Sequence, residues 1–226
     1  MELYHGSTKI IQSPIFGKGN PYNDYGLGFY MTESKELAME WACTQESDGY
    51  VNKYQLELEG LSVLYLTRGE YHILNWLAIL VSNRLFDMKP GIAMEAKQYL
   101  TQIFLPDYKK YDVICGYRAD DAYFSFAKDF LNNSIPLSTL ERVMHLGKLG
   151  EQYCIRSEKA FSKISYCGCE LAERKIWFPK KYYRDIQARD AYFNRKENLK
   201  EDIYMLDILR EGWEDTDERL RRIISE

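Results

Sequence analysis

The chain lacks the features that would fix its class at once. It has no long apolar run: the longest, Ile73 to Val81, is about nine residues and is interrupted by Asn75, whereas a membrane span needs about 20. It has no basic excess. The 30 Lys and Arg stand against 34 Asp and Glu, a net charge of −4, which excludes a general electrostatic grip on nucleic acid and leaves room only for a local patch. Its five cysteines are odd in number, and apart from Cys167-Gly168-Cys169 they are scattered at Cys43, Cys115 and Cys154. Neither a disulfide framework nor a zinc finger is expected from that spacing. The start, Met-Glu-Leu-Tyr-His, has neither the basic nor the apolar region of a secretory signal. There is no internal repeat and no low-complexity tract. Together these absences predict a soluble, cytoplasmic protein in a reducing environment.

What is present is an ordinary globular mixture over 226 residues, 46% hydrophobic and 28% charged, enough for one sizeable domain or a domain with an appendage. Aromatic content is the unusual quantity, at 15% with 19 Tyr, 10 Phe and 4 Trp. Tyrosines that stack on and hydrogen-bond ligands account for part of it, and half-buried tyrosines on sheets for more.

Residues 2–5 read as a strand closed by a polar turn. Ser13 to Gly28 is dense in Gly, Pro, Asn and Asp and reads as a long loop, and long loops inside compact domains usually serve function. Ser34 caps a helix that carries Leu37, Ala38 and Trp41 on one face. Tyr54 to Glu59 alternates with period two, and Leu61 to Leu66 follows as a second strand. Residues 70–86 and 91–104 read as helices broken at Pro90-Gly91, Asp112 to Tyr117 as a buried strand, and Asp120 to Leu131 as a helix. Ser138, with Glu141 at the capping-box position, opens a further helix through His145 that ends at Gly147 and Gly150. A strand at 152–156, a short helix at 157–163 and a strand at 165–170 follow. The pattern predicts an α+β fold with a domain over 1–170, a helical insertion at about 70–105, and a helical extension over 171–226. In that extension, Arg189 to Asp202 reads as a solvated face and Tyr204, Leu206, Ile208 and Leu209 as an apolar stripe.

Three positions carry candidate chemistry: Tyr4-His5-Gly6-Ser7, Gly26-Leu-Gly-Phe-Tyr-Met-Thr32, and Gln152-Tyr153 at the head of a late strand. Gly26-x-Gly28 is no dinucleotide fingerprint, because Phe29-Tyr30 stands where a helix should begin. Asp24 either closes a turn in its loop or contacts a ligand. Asp120-Asp121 read as helix caps with Arg118 as an ion-pair partner, and they lack the further carboxylate a metal would need. His72 and His145 sit on helical patterns and read as structural.

The order of these motifs resembles the ADP-ribosyltransferase fold of diphtheria toxin and the poly(ADP-ribose) polymerases, with its split, mainly antiparallel sheet. More closely, Leu3 to Ser7, Asp24 to Tyr30, Gly116 to Asp121 and Gly147 to Gln152 with Ser157-Glu-Lys-Ala are similar to the bacterial DUF3990 family, over about residues 1–165. The resemblance implies NAD as a consumed substrate, and no metal. His5 would bond the adenosine-side ribose, the Gly6 backbone would hold the nicotinamide carboxamide, and Ser7 would support the same loop. Tyr30 would stack on nicotinamide, with Trp41 as a second stacking ring. Tyr4, Asp24, Gly28 and Phe29 complete the implied NAD-binding set. Gln152 stands where the polymerase-like enzymes carry a glutamate, and it can bond a ribose hydroxyl but supplies no charge. Glu151 beside it should face away, since side chains alternate along a strand. The implied activity is NAD-dependent mono-ADP-ribosyl transfer to an unidentified acceptor, macromolecule or small molecule, in a toxin or conflict-system role with a small neutralising protein as partner. Two alternatives stand beside it: an NAD glycohydrolase, and a non-catalytic NAD- or ADP-ribose-binding module.

Overall fold

Short runs of β-branched, aromatic and leucine residues between turn-rich segments pair into one sheet. The computed structural model describes residues 1–85, 91–119, 121–145, 150–193 and 202–222. Pro90, Asp120, Gly147 and residues 194–201 of the Arg189 to Asp202 run lie outside the described residues, as do the side chains of Asp121 and His145.

The strands are β1 (Glu2–Ser7), β2 (Phe29–Thr32), β3 (Gly49–Leu56), β4 (Val63–Tyr65), β5 (Val113–Gly116), β6 (Gln152–Ile155) and β7 (Ile164–Ala172). They lie in the order β4-β5-β6-β2-β1-β3-β7. β4 and β5 run parallel, and the other neighbours are antiparallel. The sheet is nearly cut in two. β1 pairs with β3 along Glu2 to Ser7 and β2 with β6 along Phe29 to Thr32, but β1 and β2 meet at one register pair, Tyr4 with Thr32. The architecture is therefore α+β, with a split, mainly antiparallel sheet.

The helices are α1 (Lys35–Ala42), α2 (Ile73–Asn83), α3 (Ile92–Ile103), α4 (Asp121–Leu131), α5 (Leu137–His145), α6 (Glu158–Phe161), α7 (Arg174–Phe193), α8 (Met205–Glu211) and α9 (Glu218–Arg222). α2 is apolar on every side and is accordingly buried from Ile73 to Val81, the rule for a core helix. Around it pack residues of α3, α4 and α5 together with Met205, Ile208, Trp213 and Leu220 from the C-terminal segment, so the apolar stripe near Ile208 covers the same core. A second cluster, with Leu3, Met31, Tyr54 and Tyr153, fills the opposite face of the sheet. No described helix is long and apolar enough to cross a membrane.

α1 begins where Ser34 Oγ accepts from Leu37 N at 3.2 Å and lies directly on β1. A Cβ at Gly6 would collide with the Ala38 carbonyl and the Ala42 amide of α1, so only glycine permits this approach. α7 runs through Pro179 and docks on α1 through a buried ion pair, Arg184 Nε to Glu40 Oε2 at 2.9 Å and Nη2 at 2.8 Å.

Several local expectations need correction. β3 starts at Gly49, not near Tyr54, because it pairs on both edges, with β1 and β7. Buried Asn52 breaks its alternation. The strand ends at Leu56, before Glu57-Leu-Glu59. Ser138 lies inside α5 and is no cap: Thr139 N and Leu140 N donate to the Pro136 carbonyl, and Ser138 Oγ donates to Asp202 Oδ1 at 3.1 Å. His72 caps α2 from outside it, with Asn75 Oδ1 accepting from its backbone N–H at 2.8 Å.

Burial pushes the Glu40 carboxyl up, and Arg184 offsets this only in part. Arg184→Met should therefore strand the carboxylate and lower stability by about 3 kcal/mol in urea unfolding, whereas Glu40→Leu with Arg184→Met should recover most of that loss. A double variant no more stable than the single one would show that the charge is not the cause.

Candidate functional site

Where β1 and β2 part, the sheet opens into a cavity of about 450 Å³, within the range of small-molecule sites. β1, β2, α1, the loop after β1, Arg84, residues Arg118 and Ala119, and Gln152 form its wall. Of the residues expected to bind or react, His5, Tyr30, Gln152, Tyr4, Gly6, Asp24, Gly28, Phe29 and Trp41 all line it. Ser7 does not: its Oγ accepts from Lys9 N at 3.2 Å and closes the turn after β1. Tyr4 reaches the wall, but its hydroxyl is bonded to the Glu2 carboxylate on the exposed side.

His5 is fixed by the split itself. Its Nδ1 lies 2.7 Å from the Tyr30 carbonyl, so a side chain stands in where the ladder between β1 and β2 has stopped. A carbonyl only accepts, so Nδ1 carries the proton, and the neutral ring keeps Nε2 as an acceptor. Burial lowers the His5 pKa below 6.5 and Arg118 adds to the effect, while the Tyr30 carbonyl opposes it. The Phe29 ring supports the imidazole at a centroid distance of 4.4 Å.

Tyr30 is held at its far end. Its hydroxyl donates to the Gly26 carbonyl at 2.5 Å and accepts from Tyr25 N at 3.1 Å, and burial pushes its pKa far up. Gly26 sits at φ 79°, in the left-handed region where glycine carries no steric penalty. The loop tip is thereby locked to the ring.

Asp24 forms the centre of the polar wall. It is 4% exposed, yet its carboxylate accepts from Arg84 Nε at 2.7 Å, Ala119 N at 2.9 Å and Gln152 Nε2 at 2.7 Å. These partners lie outside its own loop, so Asp24 is not a turn-closing residue. Gln152 faces the cavity, whereas Glu151 turns to the other side and bonds Thr67 Oγ1 and Arg68 Nη2. Burial would raise the Glu151 carboxyl, but hydrogen bonds from Thr67, Cys115 and Arg68 outweigh it and hold the group below its usual range.

The Arg118 guanidinium stacks on the Trp41 ring, and the partners expected for it, Asp120 and the Asp121 side chain, lie outside the described residues. Among the described lining residues Asp24 is the single carboxylate, against Lys18, Arg84 and Arg118, a balance that suits an anionic ligand. Sequence reasoning missed Arg84 and Asn52. Asn52 holds the loop after β1 by accepting from Ile11 N at 2.8 Å and donating to the Lys9 carbonyl at 3.1 Å. An asparagine inside a strand of Tyr and Val was the available signal for it, and Arg84 had none. Among the described residues no three His, Cys, Asp or Glu converge as a metal group would require.

A family model described as a protein of unknown function (DUF3990) matches residues 1–166. The chain belongs to the DUF3990 family. Neither the curated proteins nor the solved structures contain a match to it. The DUF3990 span contains every residue that lines the cavity, while α7 to α9 fall beyond it.

His5 yields a prediction with a defined sign. Its folded pKa lies below the unfolded 6.5, so its stabilising share is complete above about pH 6.5 and is lost as the pH falls below that towards the folded value. Glu141, pushed up to about 7 by burial from 4.5, acts oppositely, losing its share as the pH rises between those values. The difference between wild type and His5→Asn isolates the histidine. Between about pH 7.5 and about pH 5.5 the wild type should lose more of its thermal midpoint than the variant, and equal losses would refute a neutral His5 at the cavity wall.

Proposed function

We propose that the chain is an NAD-dependent mono-ADP-ribosyltransferase. The observation that carries this reading is one cavity, at the parting of β1 and β2, lined by His5, Tyr30 and the Asp24–Gln152 pair together with Arg84 and Arg118. His5 Nε2 would accept from a ribose hydroxyl, and the β1 edge at Gly6, where no β2 ladder continues, would offer backbone groups to the carboxamide. Tyr30, locked by its hydroxyl, presents a fixed face to a planar ring, and stacking of that kind is worth roughly 1–3 kcal/mol. Arg84 and Arg118 supply positive charge for a diphosphate.

In the reaction the bond between ribose C1′ and the nicotinamide nitrogen breaks, its electron pair leaves with nicotinamide, and positive charge develops on the ribose. The acceptor's nucleophile then forms the new bond to C1′ and gives up its proton. A preorganised negative charge near the sugar lowers such a barrier. Gln152 brings none, so in this reading the carboxylate of Asp24, 2.7 Å from the Gln152 amide, takes that part, and Gln152 orients it.

A second reading rests on the same contact. The Asp24 charge is already shared with Arg84 and the Gln152 amide is committed to Asp24, which favours a module that binds NAD or ADP-ribose without cleaving it. A glycohydrolase would use the cavity as the transferase does, with water as acceptor.

Nicotinamide release from NAD by the purified chain, followed by intact-mass measurement, separates these readings. Release should occur and should fall at least tenfold in both His5→Ala and Tyr30→Ala, the loss expected when about 1.4 kcal/mol of positioning or stacking is removed. A gain in protein or acceptor mass indicates transfer, and release with no gain indicates hydrolysis. NAD binding with no release, in lysate as well as in buffer, indicates the module. The absence of both binding and release would sink the NAD reading.

A further inference from the structure

Outside the family span, the first half of α7 has a composition unlike the rest of the chain. From Arg174 to Arg184 it holds five basic residues and four aromatic ones, Trp177, Phe178, Tyr182 and Tyr183, with no Asp or Glu, although the chain as a whole carries −4. Arg184 and Arg174 are committed to the fold, to Glu40 and to the Gln45 carbonyl. Lys175 and Lys180 are exposed. Tyr182 and Tyr183 are 60% and 64% exposed, with ring centroids 6.2 Å apart.

Single exposed tyrosines are common and need no explanation. Two adjacent ones, with their rings at 65° to each other, beside lysines and with no acid between them, form an aromatic, positively charged surface. Lys180 Nζ lies 3.9 Å from the Trp177 centroid, and Lys181 Nζ lies 5.7 Å from the centroid of Trp41, the ring that carries Arg118 in the cavity wall. Positive charge thus continues from the wall over Trp41 to the outside of α7.

We propose that the outer side of α7 from Lys175 to Tyr183 binds single-stranded nucleic acid, with phosphates on Lys175 and Lys180 and bases against Tyr182 and Tyr183. A single strand fits best because its bases are unstacked and accept any aromatic face, and because few phosphate contacts suffice. A duplex offers no such faces, and its denser charge would meet an acidic protein. An acidic peptide would match the lysines but leave the two tyrosine faces unused. The use of this strand as ADP-ribose acceptor rests on the transferase reading; the binding does not.

The test is fluorescence anisotropy of the full chain with a labelled oligodeoxythymidine of about 12 nucleotides, without NAD, from about 50 to about 200 mM salt. Two phosphate contacts predict that log K falls with log salt with a slope of about −1.4. Lys180→Glu with Tyr182→Ala and Tyr183→Ala should weaken binding at least tenfold and leave the thermal midpoint and nicotinamide release unchanged, since these side chains are exposed and outside the cavity. No binding at the lowest salt, or equal affinity in the variant, would overturn the proposal. Displacement of the oligonucleotide by polyglutamate at equal charge concentration would also overturn it in favour of an acidic protein partner. With labelled NAD, the oligonucleotide should acquire the label. Binding and nicotinamide release without such labelling would refute the acceptor role alone.

Discussion

One buried carboxylate organises the polar side of this molecule. Asp24 collects hydrogen bonds from the end of α2 through Arg84, from the segment after β5 through Ala119, and from β6 through Gln152. Burying a charge is costly unless it is paired and fully hydrogen-bonded, so these segments can stay where they are only together. The loop between β1 and β2 is the segment that gains most. It is rich in glycine and leaves Ile10, Ile15, Phe16, Tyr22 and Leu27 exposed rather than packed, and it is fastened at one end by Asn52 and at the other by Asp24 and the Tyr30 hydroxyl. A loop held in this way can form one wall of a cavity without a strand beneath it.

The cavity follows from a second constraint, the close approach of α1 to β1. With no side chain at Gly6, the helix settles on the strand and carries Trp41 to the edge of the opening. β2, paired to β6, diverges from β1 beyond Tyr4 and Thr32, and the His5 imidazole bridges the gap to the Tyr30 carbonyl. Backbone edges, a neutral imidazole, aromatic faces and two arginines therefore converge on one space. Arrangements of this kind suit a ligand with both flat and anionic parts.

The helices after residue 173 serve both the fold and its outer surface. Ala188, Tyr192, Met205, Ile208 and Trp213 complete the core around α2, and Arg184 locks α7 to α1 through Glu40. The same helix turns Lys175, Lys180, Tyr182 and Tyr183 outward and lays Lys181 beside Trp41. Its inner face thus fixes the position of α1, and its outer face extends the electrostatics of the cavity.

The sequence by itself determined what depends on neighbours in the chain. Alternation marked the strands, Ser34 and Ser157 marked helix starts through hydroxyls that accept from amides three residues on, and the glycine-dense stretch marked the loop that walls the cavity. Local order also singled out His5, Tyr30 and Gln152, and the alternation of faces separated Gln152 from Glu151. The first half of β3 was harder to read because the buried Asn52 interrupts the alternation there. Only the tertiary structure decided what each side chain meets. Asp24 meets Ala119 and Gln152 across 95 and 128 residues, Arg118 stacks on Trp41, and Ser7 turns away from the cavity to close a turn. Such pairings are set by how helices and strands pack, and packing is a property of surfaces brought together from distant parts of the chain, which no local pattern encodes.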